Sequence, residues 1–166
     1  RTNEVLTRFP AGIWVISADA ADGTKCGLTV SSVASSATSP SILTFNLLQT
    51  STFYASFCGV GTVVRAFLLA AAQATLSDKY VKTCDVSAED MTALRDHATL
   101  SLDAVVEQVS HVLDHLLVIC RVRQVVAFAE GCRDCQSPLL RVDRAYTKLG
   151  RVGLEAASQS FRSHVS

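Results

Sequence analysis

The sequence predicts a mainly β (α+β) protein, an antiparallel barrel with a few peripheral helices. Three observations carry that expectation. Strand-like segments outnumber helical ones along the 166 residues. Their connections are short and turn-like, which suits hairpins rather than crossovers. Hydrophobic residues make up 49% and the mean hydropathy is +0.30. That is enough for one real core, with apolar surface left to bury in an oligomer.

In chain order, residues 4–8 are expected as a short helix ended by Phe9-Pro10, because proline disfavours helix in the residue before it. Residues 12–17 read as a strand apolar on both faces, hence central or at an interface. Asp22-Gly23 marks a turn, and 25–33 returns as the second strand. Pro40 breaks the loop that follows. Residues 42–47 alternate, with Leu43, Phe45 and Leu47 on one face and Ile42, Thr44 and Asn46 on the other. Ser51-Thr52 opens a short helix that stops at Gly59. Residues 63–69 form a strand and 73–81 a short helix. Ser87-Ala-Glu-Asp90 resembles a capping box and opens a polar helix to about His97. Residues 116–128 alternate over their first half, setting Arg121 and Arg123 opposite Val118, Cys120 and Val122. A last strand is expected over 139–146. The domain is expected to cover 1–150, with 151–166 as a C-terminal tail.

The most informative stretch lies at the end of the second strand. Seven of the eleven residues from Thr29 to Ser39 are Ser or Thr, and no Asp, Glu, Lys or Arg occurs anywhere from Cys26 to Val64. The composition of the whole chain would place about seven charges there. Neutral donors among apolar residues suit a buried uncharged surface, or a polar ligand held by N–H and hydroxyl groups.

Other function classes recede. Fifteen basic and fifteen acidic residues balance, without a basic block, so nucleic acid is not an expected partner. No apolar run approaches the ~20 residues of a membrane helix. The opening Arg-Thr-Asn-Glu carries no signal-peptide pattern. Six scattered cysteines fit reduced thiols and a cytoplasmic location. Cys132-Arg-Asp-Cys135 lacks the second ligand pair of a zinc site, so no metal is expected. Gly59-Val-Gly61 lacks the third glycine of a dinucleotide fingerprint and precedes a strand rather than a helix. Asp114-His115 opens the best-patterned strand, where it can point into a pocket.

Arg8-Phe-Pro-Ala-Gly-Ile13, followed by a strand, resembles the opening of the short-chain flavin reductase family. Gly27-Leu-Thr-Val-Ser-Ser32, then Ser35, Pro40 and the strand to Asn46, follow in that family's order. So do Gln49-Thr-Ser-Thr-Phe53, Phe67-Leu-Leu-Ala-Ala-Ala-Gln73 and Leu76-Ser-Asp-Lys-Tyr80. Asp114-His115-Leu-Leu-Val-Ile-Cys-Arg-Val122 is similar to the family's Gly-Asp-His strand. Pro138-Leu-Leu, with Tyr146 and Leu149-Gly150, is similar to its closing strand. The resemblance spans roughly residues 5–150.

The resemblance implies an FMN-binding split barrel, in a homodimer with the flavin near the interface. It implies an NAD(P)H-dependent reductase that passes reduced FMN or FAD to a partner monooxygenase. Thr29, Val30, Ser31 and Ser32 would follow the isoalloxazine edge and ribityl chain, and Asn46, Leu47 and Leu48 would flank the ring. Gln49, Ser51, Thr52 and Phe53, at the start of the next helix, would take the phosphate. A helix start with hydroxyls independently suits an anion. His115, oriented by Asp114, would position NADH or NADPH over the flavin. The chain departs from the family pattern in having Leu113 where glycine is usual, and in a hairpin before His115 that reads as short. A flavin carrier, or a biosynthetic flavoenzyme without reductase activity, is the competing class. A dimeric scaffold without ligand is a third.

Overall fold

The computed structural model describes residues 5, 8–19, 23–57, 59–82, 85–128 and 137–148. The helix expected over 4–8 lies almost wholly outside them, as do Asp22, Cys132, Cys135 and the tail. The described residues form strands β1 (Ala11–Gly12), β2 (Trp14–Asp19), β3 (Lys25–Val30), β4 (Ala34–Thr38) and β5 (Ser41–Leu48). Helix α1 (Thr52–Phe57) and β6 (Val63–Leu68) follow, then a 3-10 turn at Ala71–Gln73. Next come α2 (Ala74–Lys82), α3 (Ala88–His97), β7 (Leu100–Val112) and β8 (His115–Phe128). The hairpin β9 (Leu139–Val142) and β10 (Ala145–Lys148) ends the described chain.

Seven strands make one antiparallel sheet in the order β3-β2-β6-β7-β8-β5-β4. Its two edge strands, β3 and β4, are consecutive in the chain yet do not pair, so the barrel stays split between them. Ile16, Val30, Phe45, Val64, Val106 and Leu116 nonetheless share one buried cluster, because the sheet curls around a single interior. Ser32, on the connection between β3 and β4, ties the exit of β3 to β5. Its hydroxyl accepts from the backbone N–H of Asn46 at 2.8 Å and donates to the Asn46 carbonyl at 3.2 Å.

A second core lies outside the barrel, where Val15, Phe67, Tyr80, Leu94 and Leu139 meet. Strand β2 is apolar on both faces for this reason: Ile16 points to the inner cluster and Val15 to the outer one. Gly27 lets α2 approach β3, since a Cβ there would come within 2.8 Å of Val86 and 3.3 Å of Tyr80. Ser87 caps α3, its hydroxyl accepting from the Asp90 N–H at 3.1 Å.

The fold departs from the sequence reading at three places. The second strand ends at Val30 rather than at 33, and the hydroxyl-rich segment beyond it forms edge strand β4 instead of a loop. All five β4 residues are exposed, so it has no apolar face to betray it. The expected strand over 139–146 is two strands, folded back at Asp143 and Arg144, whose φ angles are +52° and +66°. Strand β7, not outlined from the sequence, runs for 13 residues and joins the 14-residue β8 through a turn of only Leu113 and Asp114.

Candidate functional site

A cleft of about 1140 Å³ opens where the ends of β3 and β5, the start of α1 and the β7–β8 turn converge. Of the site residues named from sequence, Thr29, Val30, Ser31 and Ser32 line it from β3 and its exit. Asn46, Leu47 and Leu48 line it from β5, and Ser51, Thr52 and Phe53 from the start of α1. Asp114 and His115 lie on the wall formed by the β7–β8 hairpin. Gln49 is the exception. Its side chain turns away to donate to the Leu113 carbonyl at 2.6 Å, while its N–H bonds the Asp114 carbonyl at 3.1 Å. Gln49 therefore braces the hairpin that carries His115.

Two of the hydroxyls are engaged within the fold. Thr29 donates to the Ser77 carbonyl of α2 at 2.8 Å, and Ser32 stitches β3 to β5. Ser31, Ser51 and Thr52 make no side-chain hydrogen bond to another described residue, so their hydroxyls remain available to a ligand. The turn that presents them is closed by the Ser51 N–H donating to the Leu48 carbonyl at 2.9 Å, and the Ala55 N–H then donates to the Ser51 carbonyl at 3.2 Å. Phe53 is fully buried in the barrel core, which anchors α1 from below.

His115 and Asp114 form a pair, with Nδ1 2.8 Å from the carboxylate. An ionised carboxylate only accepts, so Nδ1 carries the hydrogen and Nε2 is left for a ligand. The hydrogen bond from His115 holds Asp114 below the usual carboxylate range. Both side chains are open to solvent, at 46% and 79%, which suits contact with an incoming molecule more than a structural role.

Sequence reasoning missed eight lining residues: Gly27, Leu28, Thr50, Val112 and Leu113 flank named ones, and three come from elsewhere in the chain. Tyr80 and Val81 come from α2, and Arg141 from β9 of the smaller sheet. Tyr80 donates to Asp90 at 2.7 Å; burial first, and that carboxylate second, push its phenol well above the ordinary tyrosine range. No local pattern marks these three, because only the docking of α2 on β3 and the pairing of β9 with β1 bring them to the cleft.

The family model described as "Flavin reductase like domain" matches residues 6–150. No curated protein matches the sequence. Among solved structures, the flavin reductase of styrene monooxygenase from Pseudomonas putida S12 superposes with a TM-score of 0.73 at 21% identity, covering 90% of this chain and 97% of its own. The NADH:FAD oxidoreductase of Streptomyces globisporus C-1027, in complex with NAD and FAD fragments, gives 0.75 at 13% identity over 92% and 93%. The flavin reductase component of a bacterial two-component tryptophan halogenase gives 0.72 at 13% over 89% and 96%.

Proposed function

The chain belongs to the flavin reductase like domain family, and we propose that it binds FMN or FAD in this cleft and reduces it with NADH or NADPH. The observation that carries the reading is the convergence of free neutral donors, Ser31, Ser51 and Thr52, with the His115–Asp114 pair around one cleft. A large space lined mostly by neutral donors and apolar side chains suits an isoalloxazine ring and its ribityl chain. Bound flavin would supply the hydride-accepting chemistry.

The residues of the chain then have distinct tasks. Backbone donors of Thr29–Ser32 and the Ser31 hydroxyl would hold the flavin edge, with Asn46, Leu47 and Leu48 beside the ring. Ser51 and Thr52 would donate to the phosphate. His115, its Nδ1 fixed by Asp114, would offer Nε2 to the nicotinamide or its neighbouring groups and so align the donor. Its role is positioning, with no bond to the reacting atoms.

Fold relatives that serve oxygenases and a halogenase support a further step, in which reduced flavin passes to a separate monooxygenase. We also infer a homodimer. The edge strand β4 is fully exposed and uncharged, whereas lone edges are usually guarded by charge or covered. Sedimentation at micromolar concentration would return about twice the chain mass; a monomer with flavin bound would remove the dimer and leave the cleft reading intact.

Anaerobic titration tests the reading directly. The protein should bind FMN or FAD saturably, and added NADH or NADPH should bleach the flavin absorbance catalytically. Binding without reduction would make the protein a flavin carrier or another kind of flavoenzyme. Failure to bind either flavin would overturn the reading.

A further inference from the structure

Among the residues lining the cleft, only Arg141 carries a permanent positive charge. From Gly27 to Phe53 the wall is uncharged, and the β7–β8 hairpin adds only Asp114 and His115. Among the described residues Arg141 also has no ion-pair partner. Four other cations of the described fold are matched: Lys25 and Arg65 with Asp19, Arg65 also with Asp103, Lys79 with Asp90, and Arg121 with Glu107. Arg141 makes no ion pair or side-chain hydrogen bond with a described residue.

Its place in the fold explains why. On β9 it pairs across to Ala11 on one side and Tyr146 on the other, neither of them a carboxylate. The acidic group reached through Tyr146 is Asp78, which accepts the Tyr146 hydroxyl at 2.8 Å. That hydroxyl also lies 2.9 Å from Ser77 Oγ, and Ser77 in turn accepts Thr29 of the cleft wall through its carbonyl. The Thr29–Ser77–Tyr146 chain thus docks the β9–β10 hairpin on α2, with Arg141 on the cleft wall.

We propose that Arg141 is a specificity-determining residue that binds a phosphoryl group of the nucleotide occupying this cleft; the proposal rests on the flavin reductase reading. Every nucleotide in that reading carries at least one phosphate. A guanidinium fork meets phosphate oxygens with two parallel N–H bonds, and it stays charged at any working pH. Ser51 and Thr52 supply neutral donors from α1, on a different element. They do not neutralise charge, and Arg141 does. The phosphate is either the flavin's or the hydride donor's, and the two are separable by experiment.

The test is Arg141→Ala beside Arg141→Lys, measuring dissociation constants for riboflavin, FMN and FAD and KM for NADH and NADPH. Arg141→Ala should weaken at least one phosphorylated ligand by about tenfold or more, with riboflavin unchanged. Lysine should recover part of the loss, and added salt should shrink the difference. Loss of FMN and FAD together assigns the flavin phosphate, loss of FAD alone its adenylate half, and a raised nicotinamide KM alone the donor. Equal affinities for every ligand in wild type and Arg141→Ala would overturn the proposal. Titration with ADP separates its failure from that of the reading. Wild type that binds ADP but no flavin, with binding lost in Arg141→Ala, would sink the flavin reading and keep the anion site. Binding of neither would sink both. Because the side chain is exposed and unbonded, thermal melting of the variant should match the parent.

Discussion

The side-chain amide of Gln49 donates to the Leu113 carbonyl at 2.6 Å, tying the exit of β5 to the turn that precedes His115. Leu113 holds φ = +55° there and is 93% exposed. A leucine in the left-handed region costs about 1 kcal/mol or more, and at this exposure it gains little packing in return. Leu113→Gly should therefore raise stability by about 1 kcal/mol in chemical denaturation. Gln49→Ala should lower it by about 1 kcal/mol and loosen the hairpin. On the proposed reading, Gln49→Ala raises KM for the nicotinamide while flavin affinity holds. A change in flavin affinity alone would place Gln49 back among the flavin contacts.

Asp90 links the outer helices to the cleft, accepting from Tyr80 at 2.7 Å and pairing with Lys79. Burial would raise its pKa, but hydrogen bonds from Lys79, Tyr80 and Ser87 outweigh burial and hold it below the usual carboxylate value. A depressed folded pKa gives stability that is fully present above the unfolded value, about 4, and is lost as pH falls through the folded one. Asp90→Asn should cost about 1–3 kcal/mol at neutral pH. It should also flatten the fall in stability below pH about 4. A variant with the parent's acid profile would show that other carboxylates set it.

Much of this arrangement was legible in the sequence, and the failures have physical causes. Strands β5 and β8 could be read because alternate residues are driven into the core, as with Leu43, Phe45 and Leu47, and β2 because both of its faces are buried. The frame of the cleft was visible in a hydroxyl run without charge. Strand β7 was legible only as part of a hairpin, because irregularities at Ser101/Leu102, Asp103/Ala104 and Val106/Gln108 break its alternation. The β9–β10 turn was hidden because Asp143 and Arg144 take positive φ where glycine or asparagine would have signalled it. Arg141 was invisible for a different reason. It reaches the cleft through pairing with β1 and β10, which is tertiary information. Sequence also could not tell that Thr29 and Ser32 spend their hydroxyls inside the fold while Ser31 keeps its own.

That difference among hydroxyls sharpens the expectation for α1. Ser51 and Thr52 face the cleft with free side chains, so replacing both with alanine removes donors without disturbing an internal bond. The double variant should bind FMN about ten- to a hundredfold more weakly, since each charge-assisted bond is worth roughly 1.5–3 kcal/mol before compensation. Riboflavin, without a phosphate, should bind as it does to the parent. Equal losses for both ligands would mean that these hydroxyls hold the ribityl chain or ring instead.

His115 offers the sharpest test of the mechanism. Val112 pairs with it across the two-residue turn, and Leu48 pairs with it on the other side, so strand register fixes its backbone. Asp114 fixes the ring by holding Nδ1. A ring so held aligns a donor without sharing in the hydride's bond changes, which makes its contribution one of orientation. His115→Ala should then raise KM for NADH or NADPH and slow flavin reduction by about ten- to a hundredfold, with flavin affinity nearly unchanged. Asp114→Asn keeps the side-chain shape but offers the ring a different partner, so it should show a smaller loss of the same kind. Stopped-flow reduction of preloaded protein measures the step itself. Parent-like rates in His115→Ala would remove the histidine from the mechanism, and weakened flavin binding with an unchanged reduction rate would reassign it to the flavin side of the cleft.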